Sequence, residues 1–169
     1  ALNGDTISKI TPAQAAAGIK VISDAGGNET FSITTADAAG SGDVLKLVLG
    51  SGLTNGEATD FAGLIANGFE TINMEQNQGP TATTDALKST LVTAITASTV
   101  ASMTLTGHIY EFTDAATTLA NSIDGSALTG ALTVAGNIIA GSTITGGAGN
   151  DVFTASTANG SSYIGNAGN

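Results

Sequence analysis

The chain has 169 residues, 41% of them apolar but only 4% aromatic, with 23 glycines and neither tryptophan nor cysteine. Four Lys and Arg residues face fourteen Asp and Glu, a net charge of −10. That balance excludes the phosphate contacts that nucleic-acid binding needs and a direct hold on an anionic membrane, while it suits hard divalent cations, Ca²⁺ above all.

The first residues, Ala1 to Asp5, hold no initiator Met, basic segment or apolar run, so an interior piece or a processed product is expected. Thr11-Pro12 followed by Ala13–Ala17 predicts an N-cap, a proline at the first helical position and one or two helical turns. Asp24 to Asn28 (DAGGN) is a turn cluster. Thr30–Thr34 alternates apolar and polar residues, as a half-buried strand does. Asp43–Leu49 (DVLKLVL) alternates too, with Val44 and Val48 on one face and Leu45, Leu47 and Leu49 on the other. Thr59–Asn67 predicts a short helix: Phe61, Leu64 and Ile65 fall at i, i+3 and i+4, and Asn67-Gly68 is a stop signal. Glu70–Met74 reads as a strand, and Gln76–Thr84 as a polar loop holding Gly79-Pro80. Thr84–Ser98 predicts a helix from the row Leu87, Leu91 and Ile95, against the low helix propensity of its threonines. Ser102–Phe112 is strand-like.

From Asn121 onward, short apolar runs alternate with Gly and Thr or Ser. Regular short strands separated by glycine turns mark a β-solenoid or β-roll, and small branched side chains suit many thin layers better than a thick aromatic core. The expected fold class is therefore mainly β. Residues 113–169 form a parallel β-roll or β-solenoid-like part, and residues 1–112 a mixed β-rich part carrying short helices, for assembly or interaction. The length allows one domain or two small ones. No stretch is long and apolar enough to span a bilayer.

One motif carries chemistry. Gly146 to Thr154 reads GGAGNDVFT and fits the calcium nonapeptide G-G-x-G-x-D-x-U-x at every fixed position, with Phe153 as the large apolar residue. Glycines permit the tight turn, Asp151 adds a hard anionic oxygen, and Phe153 starts a strand and buries itself. Because Ca²⁺ takes about six to eight oxygens, one turn is half a site. A second turn, Gly165-Asn166-Ala167-Gly168-Asn169, follows. Two nonapeptides make a coil of about 18 residues, and the step from Gly146 to Gly165 is one such coil with a single residue inserted. The second turn is therefore expected one coil on, along the same edge, with Ser162-Tyr163-Ile164 above Thr143-Ile144-Thr145. The chain stops where this second turn would place its Asp, so a longer natural polypeptide is expected. Gly40-Ser41-Gly42-Asp43 is a weaker echo, one spacer short, and reads first as a plain turn before a strand.

GSGDVLKLVL (40–49), GFETINM (68–74), SIDGSALTGALTVAG (122–136) and STITGGAGNDVF (142–153) together resemble the repeat-in-toxin (RTX) superfamily, in its S-layer and large-adhesin branch. The resemblance covers about half of the chain; residues 75–120 match nothing in it. It implies type I secretion, folding on meeting Ca²⁺ outside the cell, and self-assembly at a bacterial surface. By the family pattern, Gly147 and Gly149 would offer carbonyls and Asp151 its carboxylate, while Gly165, Asn166 and Gly168 would line the neighbouring turn. Asn166 departs from the pattern by replacing a glycine, and asparagine tolerates the left-handed region better than most residues.

No enzyme is expected. The one histidine, His108, lies in a strand-like run and reads as structural; G-x-S-x-G and H-E-x-x-H are absent. GGAGND lacks the last glycine of a dinucleotide fingerprint. The first expectation is a self-assembling extracellular subunit, in a homo-oligomeric lattice or filament organised by Ca²⁺. The second is a ligand-binding module of a secreted adhesin. The third is the passenger of a secreted hydrolase, whose catalytic domain would lie outside this chain. Absence of cysteine alone separates none of these from a cytosolic protein.

Overall fold

The computed structural model describes residues 6–21, 30–36, 40–49, 63–76, 88–91, 95–96, 102–107, 109–112, 122–135, 140–154 and 160–168. These hold β1 (Thr6–Ile10), α1 (Pro12–Ala17), β2 (Ile19–Val21), β3 (Thr30–Thr35), β4 (Val44–Leu49), β5 (Gly63–Asn67) and β6 (Thr71–Gln76). They continue with β7 (Lys88–Leu91), β8 (Ile95–Thr96), β9 (Ser102–Gly107), β10 (Ile109–Phe112), β11 (Ser122–Leu128), β12 (Leu132–Val134), β13 (Thr143–Thr145), β14 (Val152–Phe153) and β15 (Ser162–Ile164). The protein is mainly β.

The strands form three sheets, ordered β1-β3-β5-β8, β14-β12-β10-β7 and β15-β13-β11-β9-β6-β4-β2. Every pair among them is parallel. Strands that follow one another in sequence lie in different sheets and never pair. From β9 onward the chain alternates strictly between the seven-stranded sheet and the sheet that contains β10, β12 and β14. The seven-stranded sheet runs from β2 to β15, so strands on both sides of residue 113 belong to it.

Register explains the composition. Leu45, Ile72, Met103, Ile123, Ile144 and Tyr163 stand opposite one another on successive strands, and Leu47, Met74 and Leu105 form the next row. Neighbouring members of a row lie about 4.8 Å apart, so each contact must be filled by a side chain no wider than the step. Leu, Ile and Met meet that condition. All but Tyr163 are buried, in one cluster that also takes in Ile33, Leu64 and Ala66 from the first sheet and Leu132 and Val134 from the second. Tyr163 ends its row half-buried, with its ring 5.9 Å from that of Phe153. The alternation expected for residues 43–49 holds, with Leu45, Leu47 and Leu49 inside and Val44 and Val48 on the outer face.

The helix expected after Thr11 is α1. The Thr11 hydroxyl accepts from Gln14 N at 3.3 Å, and the Gln14 side chain accepts from Thr11 N at 2.9 Å, a complete capping box. Gly18, at φ +103, turns the chain from it into β2.

Three expectations need correction. Residues 63–67 of the predicted helix 59–67 are strand β5, which takes its backbone bonds from β3. Leu64 and Ala66 are buried with Ile65 between them, a period of two that outweighs the i, i+3, i+4 coincidence. In the predicted helix 84–98, Lys88–Leu91 and Ile95–Thr96 are strands, as its threonines favour. Residues 59–62, 84–87, 92–94, 97 and 98 lie outside the described residues, as do the expected turn 24–28, residues 77–84 of the expected loop, and His108. Among the described residues α1 is the single helix of the short ones expected. Finally, the predicted strand 102–112 is two strands in two sheets. Gly107 ends the first at φ +126, a conformation that a straight ladder does not use.

Candidate metal centre

The turn between β13 and β14 holds Gly147, Gly149 and Asp151; the turn after β15 holds Gly165, Asn166 and Gly168. β13 and β15 pair as Thr143↔Ser162, Ile144↔Tyr163 and Thr145↔Ile164, the same interval that separates Gly146 from Gly165 in the sequence. Gly141 and Gly160, at φ +80 and +89, open the two repeats alike. The two glycine turns are therefore brought together.

Backbone bonds run from turn to turn. Gly146 N donates to Ile164 O at 2.8 Å, Ala148 N to Leu128 O at 3.0 Å and Gly149 N to Gly130 O at 3.0 Å. A third turn is thereby drawn in, the one at Gly130, which motif reading missed. Gly130, Gly149 and Gly168 recur at one constant interval, and that spacing was the available signal.

The glycines serve close approach rather than left-handed backbone. None of Gly146, Gly147, Gly149, Gly165 and Gly168 has a positive φ. A Cβ on Gly149 would lie 2.7 Å from Ala131 N and 2.8 Å from Gly130 C. One on Gly168 would collide with Gly149 O, and one on Gly147 with Gly130 O. Gly165 has open space around it. The same finding corrects the expectation for Asn166: its backbone stays out of the left-handed region, so its position makes no conformational demand. Asn166 is exposed, and its Nδ2 donates to Ser126 O at 3.4 Å.

Asp151 is the chemical centre of this stack. It stands in register with Leu132, one before the pair Thr133↔Val152, and is half-buried. Its Oδ1 accepts from Leu132 N at 2.8 Å and from Gly147 N at 3.1 Å, tying its own turn to the preceding one. Its Oδ2 is buried without a hydrogen-bond partner, and a Cβ on Gly146 would strike it. A buried anionic oxygen left unpaired is unfavourable, and a hard cation is one partner that satisfies it. Ca²⁺ therefore fits the donor chemistry at Asp151. Among the described residues no three His, Cys, Asp or Glu side chains gather, so most oxygens around such an ion would be backbone carbonyls or water.

Comparison with family models, with curated proteins and with solved structures finds no match to this chain.

Proposed function

We propose that this chain is a structural segment of an extracellular bacterial surface protein, a β-solenoid whose glycine turns take Ca²⁺ and which assembles with copies of itself. The observation that carries this reading is the orphaned Oδ2 of Asp151 inside a stack of glycine turns that repeat at a constant interval. Parallel strands that alternate between sheets support the solenoid, since each layer buries its apolar face only against the next.

Asp151 would hold the ion through Oδ2, with carbonyl oxygens of the turns at Gly147 and Gly149 and of Gly165, Asn166 and Gly168 as the further donors. The ion supplies positive charge to a turn whose only charged side chain is a carboxylate. The chain's own part is separate. Asp151 Oδ1 already clamps Leu132 N and Gly147 N, and the glycines let successive turns approach without side chains between them. Ion binding then adds to folding free energy, because the unfolded chain has no such turn. Secretion through a type I system accords with such folding on arrival. Strand edges and layer ends are the surfaces through which copies would join.

The test is a Ca²⁺ titration of the purified chain, followed by circular dichroism and light scattering and reversed with EGTA. A rise in β-signal and scattering at about 10⁻⁴–10⁻³ M Ca²⁺, the range of extracellular modules, is expected. A folded, monodisperse chain indifferent to both additions would overturn calcium-driven assembly, and saturable ligand binding by that monomer would put the adhesin-module reading in its place.

A further inference from the structure

The turn before β4 carries a second carboxylate of the same kind, far from Asp151 in sequence. Asp43 is 9% exposed, and its Oδ2 is buried with no hydrogen-bond partner. The oxygen lies against Gly40, where a Cβ would stand 2.9 Å from it. Gly42, at φ +91, makes the turn that folds residues 40–43 around this carboxylate.

A second carboxylate is fixed at the same turn. Glu70 Oε2 accepts from Gly42 N at 3.0 Å and from Asp43 N at 2.7 Å. The two segments are also tied the other way, because Asp43 O accepts from Glu70 N at 3.0 Å and from Thr71 N at 3.2 Å. Both carboxylates thus belong to one turn, Glu70 through the backbone it accepts from and Asp43 with an oxygen sealed from water. The single ion pair among the described residues, Lys46–Glu75, involves neither. A buried anionic oxygen without a partner is unfavourable, and a hard cation is a partner that satisfies it.

We infer that Asp43 and Glu70, with the Gly40–Gly42 turn, form a second divalent-cation site that takes Ca²⁺. Asp43 Oδ2 is its buried ligand and the Glu70 carboxylate its second. Turn carbonyls and water complete the about six to eight oxygens that the ion needs. The site joins β4 to β6 as the Asp151 turn joins β12 to β14, and it does not depend on that turn.

Equilibrium dialysis of the full chain against radioactive Ca²⁺ tests this, with Asp43→Asn, Glu70→Gln and Asp151→Asn compared at equal circular dichroism. Asp43→Asn and Glu70→Gln are each expected to remove one ion per chain, or to weaken it at least tenfold. Asp151→Asn is expected to leave that ion in place. Glu70→Gln keeps an acceptor for Gly42 N and Asp43 N, so it carries the test should Asp43→Asn fail to fold. Unchanged stoichiometry in folded Glu70→Gln and Asp43→Asn would overturn the inference and leave the Asp151 reading intact. Loss of all binding in Asp151→Asn would overturn it likewise. Absence of binding to the wild-type chain at millimolar Ca²⁺ would overturn both.

Discussion

Asp151 and Leu132 stand opposite one another on neighbouring layers, and the carboxylate of the first accepts the backbone N–H of the second at 2.8 Å. One side chain thereby fixes the distance between two turns with one oxygen and keeps the other unused.

Separate roles for the two oxygens give separable mutant effects. Asp151→Ala strips the acceptor from Leu132 N and Gly147 N, and is expected to cost about 1–3 kcal/mol without calcium. Asp151→Asn keeps an acceptor oxygen and should lose less, while the stabilisation gained from Ca²⁺ disappears in both. Urea denaturation in EGTA and in Ca²⁺ checks this; equal calcium stabilisation of wild type and Asp151→Asn would refute the role of Oδ2.

Glycine positions differ in what they tolerate. Gly149→Ala pushes a methyl group into the backbone of Gly130 and Ala131, and is expected to destabilise by about 1–3 kcal/mol. Gly165→Ala meets nothing within 4 Å and should stay within about 0.5 kcal/mol of wild type. Thermal melts of the two variants, run side by side, decide the matter, and equal effects would show that the turns do not pack as described.

Ile123 is in the middle of the core row, between Met103 and Ile144. Ile123→Ala opens a gap that its neighbours cannot close without breaking register. The expected loss is about 2–5 kcal/mol, read from the denaturation midpoint. A loss below about 1 kcal/mol would mean that the row is loosely packed.

Lys46 and Glu75 form an ion pair at 2.9 Å on the outer face, with both side chains more than a third exposed. Such pairs contribute about 0–1 kcal/mol and weaken with salt. Lys46→Ala should shift the melting temperature little at 0.15 M salt, and a double-mutant cycle with Glu75→Ala should give a coupling near zero at about 1 M.

The last layers of the core were legible because parallel pairing there follows a recurring sequence interval, which the longer steps from Leu45 to Ile72 and from Ile72 to Met103 do not keep. The interval between Gly146 and Gly165 predicted which strands stack, Thr143-Ile144-Thr145 on Ser162-Tyr163-Ile164, and the alternation of DVLKLVL predicted which leucines point inward. Thr11-Pro12 was equally readable, because a capping box is a local device. Leu64-Ile65 was not. Two adjacent apolar residues followed by Ala66 satisfy a helical and a strand period alike, and the partner strands β3 and β8 decide between them. The reason for the turn glycines was also hidden, since it lies in the neighbouring layer: Gly130 for Gly149, and Gly149 for Gly168. Glu70 carries no motif, and nothing local announces that it serves the N–H groups of Gly42 and Asp43, 27 or more residues away.

The seven-stranded parallel sheet sets a scale of length. Its six steps span about 29 Å at about 4.8 Å each. A helix covers that distance with about 19 residues, whereas here the stretch from Gly149 to Gly168, equally long in sequence, advances the stack by a single step. Nearly all of each repeat is invested in breadth. Each step of this sheet adds the same height, whether the chain uses the longer stretch from Leu45 to Ile72 or the shorter one from Ile144 to Tyr163 to make it.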